Sequence, residues 1–335
     1  MKILYAIQGT GNGHVARAEE IIPQLCHYGK VDIFLSGAQS EIQLPYPIKF
    51  RSKGLSFYFG KKGGIDFYKT FKFNSSKRVI REIQELPVEN YDLVINDFEA
   101  ISAWACRKKK IPCYSLSHQF SLLSSRVPKP KNSDPVGSWF LKNYAPVKSG
   151  VGFHFGKYDR NILTPVIRAR IRTLKTQNSG HYTIYLPAYG DQILVQLLEK
   201  FPAIKWQVFS KHSRIPYKVG NIQFFPVQMD QFVKSLAGCS GIICGAGFET
   251  PAESLYLSKK VLVVPMENQY EQHCNAAALK SMGVPVLKKL NAKSLSKISS
   301  WIESDDRPKV IYPDVAGLAV EQVFKLHAEH SLADH

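Results

Sequence analysis

With 335 residues, 44% of them hydrophobic, the chain has length for two domains of roughly 150 residues each and apolar content for two sizeable cores. Nothing in the composition suggests disorder or low complexity, and no apolar run approaches the roughly 18 residues that cross a bilayer. The formal net charge of +17 is spread over both halves and favours anionic partners: a phosphorylated ligand, nucleic acid or an anionic membrane surface.

Residues 2–8 read as a short buried strand, which leaves no room for a signal peptide's apolar stretch and cleavage site. A glycine-rich turn follows, and then a helix over 14–28 with Val15, Ala18, Ile21, Ile22 and Leu25 on one face. Further strands are expected at 31–36, 48–52, 92–97, 111–116 and 150–155. Residues 57–80 interrupt the alternation by mixing aromatics (Phe57, Phe59, Phe67, Tyr68, Phe71) with lysines. Such a stretch suits a membrane interface, a lid over a cleft, or a hairpin or helix with an aromatic core. The polar, basic stretch 156–181 marks a domain boundary, with a linker over 161–180. Strands are then expected at 182–187, 205–210, 222–226, 241–244, 260–265 and 284–287. Helices are expected near 191–200, 229–237, 249–258 and 270–282, and a last helix over 313–330. This alternation predicts an α/β protein in which two Rossmann-like, doubly wound parallel-sheet domains, 1–160 and 181–312, face a cleft. The six cysteines (Cys26, Cys106, Cys113, Cys239, Cys244, Cys274) form no CxxC pair and no disulfide-like pattern, which fits a reducing cytoplasm.

In open parallel sheets, ligands bind beyond the carboxyl ends of the strands. Two turns there are suited to anions. The first, Gly9, Thr10, Gly11, Asn12, Gly13 and His14, bends tightly, exposes backbone N–H groups and leads into a helix N-terminus. It is not a dinucleotide fingerprint, because position 14 is histidine rather than glycine. The second runs from Cys244 through Gly245 and Gly247 to Phe248, Glu249 and Thr250, with Glu253 one turn into the next helix.

From Asn221 to Val284 the sequence resembles the donor-binding region of the UDP-glycosyltransferase superfamily (GT-B architecture). The resemblance rests on an ordered series: the glycine turn, Thr250, Glu253, a Val-Pro strand end at Val264 and Pro265, Glu271 with Gln272, Asn275 with Ala276, and Gly283. It extends to the plant natural-product glycosyltransferases and to the N-acetylglucosaminyltransferases of peptidoglycan precursors, whose first loop also resembles Gly9–His14. The resemblance implies an N-terminal acceptor-binding domain and a C-terminal nucleotide-sugar donor-binding domain. It implies that Gly245, Gly247, Phe248, Glu249 and Thr250 lie at the donor diphosphate and that Glu253 holds the ribose. Glu271 and Gln272 would bond hydroxyls of the transferred sugar, and Val227 would border the base. Two positions depart from the pattern. Cys244 replaces a histidine found in many relatives, and no tryptophan matches the base-stacking residue near Gln223–Pro226.

The implied chemistry is inverting transfer of a sugar from a nucleotide diphosphate, with UDP as the expected carrier, onto an unidentified acceptor, lipid-linked or saccharide. Such a reaction needs a base at the acceptor hydroxyl, and His14 is the side chain suited to it near neutral pH. By resemblance Asp97 orients that imidazole; Asn96 and Glu99 are neighbouring alternatives, and His118 is a further candidate on the acceptor side. No Asp-x-Asp metal motif occurs, so no metal and no cofactor are expected, and helix N-termini with basic side chains would offset the leaving charge. The alternatives are a nucleotide-sugar epimerase or hydrolase on the same architecture and a basic module binding nucleic acid or an anionic membrane. Nucleic acid is the less expected partner. A cytoplasmic enzyme peripheral at the inner face of the membrane would fit both the charge and a lipid-linked acceptor.

Overall fold

The computed structural model describes residues 1–37, 44–54, 76–132 and 134–333. The aromatic–lysine stretch lies outside these residues up to position 75.

Among the described residues the first sheet has seven strands: β1 (Lys2–Gln8), β2 (Lys30–Ser36), β3 (Ile48–Ser52), β4 (Leu93–Asp97), β5 (Cys113–Ser117), β6 (Ser149–Phe153) and β7 (Ile162–Leu163). They lie in the order β3-β2-β1-β4-β5-β6-β7, all parallel. The second sheet has six strands: β8 (His181–Tyr185), β9 (Lys205–Ser210), β10 (Tyr217–Val219), β11 (Ile222–Pro226), β12 (Gly241–Gly245) and β13 (Lys260–Val264). Their order is β10-β11-β9-β8-β12-β13, with only the short edge strand β10 antiparallel. The continuous apolar strands follow from coverage of both faces. On β1, Ile3, Tyr5 and Ile7 join one buried cluster, while Leu4 and Ala6 join another behind the sheet.

Helices cover both sheets. The first sheet carries α1 (Asn12–Cys26), α2 (Ser76–Glu85), α3 (Ala100–Lys109), the short α4 (His118–Ser121) and α5 (Pro135–Tyr144). A one-turn helix, α6 (Ala169–Arg172), leads to α7 (Asp191–Leu198), α8 (Met229–Gly238), α9 (Glu249–Tyr256), α10 (Tyr270–Ser281) and α11 (Leu295–Glu303). The last helix, α12 (Ala316–Ala333), packs back on the first domain, where Ala319, Val320 and Val323 join the α1 cluster and Phe324 stacks on Tyr28.

Two expectations change. The helix placed at 14–28 begins earlier, because Gly11 caps it with φ of 106°, a backbone conformation that favours glycine. The strand expected at 284–287 reduces to one parallel bridge between Val263 and Val286. The chain reverses at Gly283, and Pro285 has no N–H to extend a ladder. Helices α3 to α6 and α11, and the short strands β7 and β10, have no counterpart among the expected elements.

Candidate active site

Among the parallel strands of each sheet the order reverses at one place, between β1 and β4 in the first and between β8 and β12 in the second. Parallel sheets form ligand crevices at such switch points. Both glycine turns follow switch-point strands, β1 and β12. His14 follows β1, and Asp97 ends the adjacent β4, paired in register with Ile7.

That adjacency brings two distant residues together: His14 Nδ1 lies 2.8 Å from Asp97 Oδ1. Asp97 is free to make this contact because α3 is capped by Glu99, whose carboxylate accepts from the backbone N–H groups of Ile101 and Ser102. Asn96 is bound to Glu99 and Ser102, so these two neighbours serve the helix start rather than His14. After Asp97 the chain turns through Phe98 at φ 55°, a costly conformation for a large side chain that ends β4 at the cleft.

A third group was not foreseen. Arg17, one turn into α1 and buried, donates from Nη2 to both Asp97 oxygens at 2.7 and 2.9 Å. Its Nη1 pairs with Glu249 of the second domain. Burial alone would push the Asp97 carboxyl up, but Arg17 and then His14 outweigh it and hold it below its ordinary value. Burial has the upper hand at Glu249, whose carboxyl is pushed up to about 7 despite Arg17. The i, i+3 spacing places His14 and Arg17 on one helix face, but nothing in the sequence points to the partners of Arg17 in β4 and α9.

A cavity of about 470 Å³ opens between the domains, lined by Gln8, Thr10, His14, Gln119 and Glu271 on its polar side and by Phe98, Phe140, Leu141 and Tyr270 on its apolar side. Gln119 spans it. Its Nε2 donates to Glu271 Oε2 at 3.1 Å and lies 3.4 Å from His14 Nε2. The adjacent His118 turns away from the cavity. It contacts the Phe153 carbonyl and Asn275, each at 2.8 Å, and stacks on Phe248 at 3.9 Å. Burial pushes it down to about 4, which makes it a neutral ring tying the domains together.

A smaller cavity of about 100 Å³ lies at the second switch point, lined by Gly245, Gly247, Thr250 and Gln272 together with residues 185–189 after β8. Gln272 accepts from the Met266 N–H at 2.9 Å. The successive residues Glu271 and Gln272 thus line the large and small cavities respectively. Phe248 and Cys244 are buried in the core, and Val227 packs half-buried after β11. Gly9, Gly11, Asn12 and Gly13 shape the first turn, in which Thr10 accepts from Gln8 Nε2 at 2.8 Å. Glu253 lines neither cavity; both its oxygens are held by Arg168, at 2.6 and 2.7 Å. A carboxylate has about four lone-pair sites, so acceptor capacity remains for hydroxyls.

Two Rossmann-like domains with paired switch-point crevices across a cleft define the GT-B class of glycosyltransferase fold. The sequence model of glycosyl transferase family 1 matches residues 1–304, and the chain belongs to that family. Curated proteins give no sequence match. Among solved structures, the chain is similar to Phytolacca americana UGT2 complexed with UDP-2-fluoro-glucose and pterostilbene (13% identity, TM-score 0.58, covering 98% of this chain and 93% of that one). It is also similar to Acinetobacter baumannii MurG (15% identity, TM-score 0.52, covering 98% and 94%). A UDP-N-acetylglucosamine 2-epimerase shares the fold as well (10% identity, TM-score 0.56, covering 100% and 98%), so here the family match, rather than the fold, separates a glycosyltransferase from an epimerase. Among the described residues no helix is long and apolar enough to cross a membrane.

Proposed function

We propose that this glycosyltransferase is inverting and metal-independent, with His14 as the base and a UDP-sugar as the donor. The observation that carries the proposal is the His14–Asp97 pair at the wall of the interdomain cavity. With Nδ1–H donated to the carboxylate, Nε2 presents its lone pair to the cavity and takes the acceptor hydroxyl's proton. The acceptor oxygen then attacks the anomeric carbon opposite the diphosphate, and the breaking C–O bond leaves its electron pair on that diphosphate. A single displacement inverts the configuration. The N-terminus of α9, beside Gly247 and Thr250, faces the charge that develops. The donor class rests on the ordered donor-site residues and on the UDP-sugar held by the Phytolacca relative.

A thermal-shift series tests the donor. UDP and one or more UDP-sugars should raise Tm, through a stabilisation that grows with the logarithm of their excess over Kd and reaches about 2.7 kcal/mol at a hundredfold excess. Equal indifference to UDP, GDP and ADP would remove the donor assignment. Labelled UDP-sugar that is epimerised or hydrolysed without transfer to any acceptor would favour the alternative reaction.

The acceptor side supports a peripheral membrane role. Val136, which lines the large cavity, and Trp139 on the same helix α5 are well exposed, as is Leu123, with Arg126, Lys131 and Lys142 close by in sequence. Apolar anchors beside basic residues suit an anionic interface. The protein should float with anionic vesicles and not with neutral ones, and Trp139→Ala should weaken flotation; equal behaviour on both vesicles would end the membrane assignment.

A further inference from the structure

By resemblance Glu249 stands at the donor diphosphate; it lines neither cavity itself but sits in the chain between Gly247 and Thr250, which line the smaller one. It is the first residue of α9, whose N-terminus carries unpaired N–H groups and partial positive charge. Its side chain also reaches the first domain's glycine turn: a Cβ added to Gly13 would lie 3.0 Å from Glu249 Cγ. Its carboxylate pairs with Arg17 Nη1, while Arg17 Nη2 is committed to Asp97 and lies 3.1 Å from His14 Nδ1, and the buried Nε has no partner. Both glycine turns, a helix N-terminus and a buried cation therefore converge on one partly exposed carboxyl group.

We infer that the Glu249 carboxylate is a resident stand-in for the donor diphosphate, exchanged on donor binding so that Arg17 becomes the counter-ion of the leaving group. The inference rests on the proposed nucleotide-diphosphate donor. In the donor-free protein the carboxylate neutralises Arg17 and bridges the domains. When the glycosidic C–O bond breaks, the electron pair moves onto the diphosphate, and a guanidinium released from Glu249 answers that charge without a metal. Asp97 keeps Arg17 in place throughout and fixes its direction.

The rival account is a plain interdomain ion pair, and the two differ in sign. If Glu249 only latches the domains, removing its charge loosens the cleft and weakens donor binding. If it competes with the donor, removing its charge strengthens binding. Titration gives a second contrast. Burial pushes the Glu249 carboxyl up to about 7; Arg17 from α1 opposes that shift, Glu253 on the same helix and Asp97 from β4 add to it, and Arg168 from the segment before α6 opposes it. Below neutrality the group is protonated and a weak competitor; above it the carboxylate holds Arg17.

The experiment is calorimetric titration of UDP into the full chain and into Glu249→Gln and Glu249→Ala, on either side of neutrality, with a melting curve for each protein. Above neutrality both variants should bind UDP about tenfold more tightly than the unmodified protein, or about 1.4 kcal/mol. The gap should shrink below neutrality, where the unmodified protein gains affinity relative to the variants. Equal or weaker binding by folded variants, or a parallel pH course in all three proteins, overturns the exchange while leaving the donor assignment standing. Failure of all three to bind UDP overturns both. The pH course of the unmodified protein against either variant keeps the test decisive if one variant fails to fold.

Discussion

His14→Ala is expected to lower transfer turnover by about 10²–10⁴-fold, the usual contribution of a positioned base, with UDP affinity close to that of the unmodified protein. The separation follows from geometry. The imidazole stands on the first domain at the wall of the large cavity, whereas the expected UDP site lies at the second switch point. Truncation leaves no unpaired charge behind, because Asp97 retains both bonds from Arg17. The fold should therefore hold and the loss should fall on kcat rather than on KM for the donor. UDP release from the donor, followed with and without acceptor, provides the measurement. Full transfer activity in His14→Ala would show that another group takes the proton, and Glu271 across the cavity would be the next to examine.

What the sequence made legible follows periodicity and turn chemistry. Glycine turns after β1 and β12 mark strand ends, and strand alternation implies parallel sheets; together these locate both crevices. The proximity of His14 and Asp97 was expected by resemblance, and their strand adjacency supplies its physical basis. Arg17 was not legible, because an arginine inside an amphipathic helix reads as solvated surface. Only the fold shows that Asp97 lies beneath it and Glu249 opposite. Gln119 was hidden for a similar reason. Sequence draws notice to His118, yet the rotation of about 100° between successive helical residues sends the imidazole into the interdomain packing and the amide into the cavity. Partners lying 80 and 232 positions away from Arg17 leave no local pattern to read. The same holds for Glu253, whose pairing with Arg168 depends on where the connecting segment crosses the second domain.

Asp97 divides catalysis from stability, so two substitutions there should behave differently. Its carboxylate has no solvent exposure and answers both His14 and Arg17. Asp97→Ala leaves a buried guanidinium without its principal partner, a change that costs about 3–5 kcal/mol, or a fall in Tm of roughly 6–20 °C for domains of this size. Asp97→Asn keeps the side-chain shape and one carbonyl acceptor, so its melting point should fall less. Its activity should nevertheless collapse. An amide oriented by Arg17 can donate to Nδ1, which would put the imidazole proton on Nε2 and leave the cavity side without a base. In a catalytic triad of this kind the corresponding change lowers kcat by about 10⁴. The pair of variants therefore separates two roles for one carboxylate. A stable Asp97→Asn protein with normal turnover would show that Asp97 serves only to anchor Arg17, and the base assignment to His14 would lose its orienting partner.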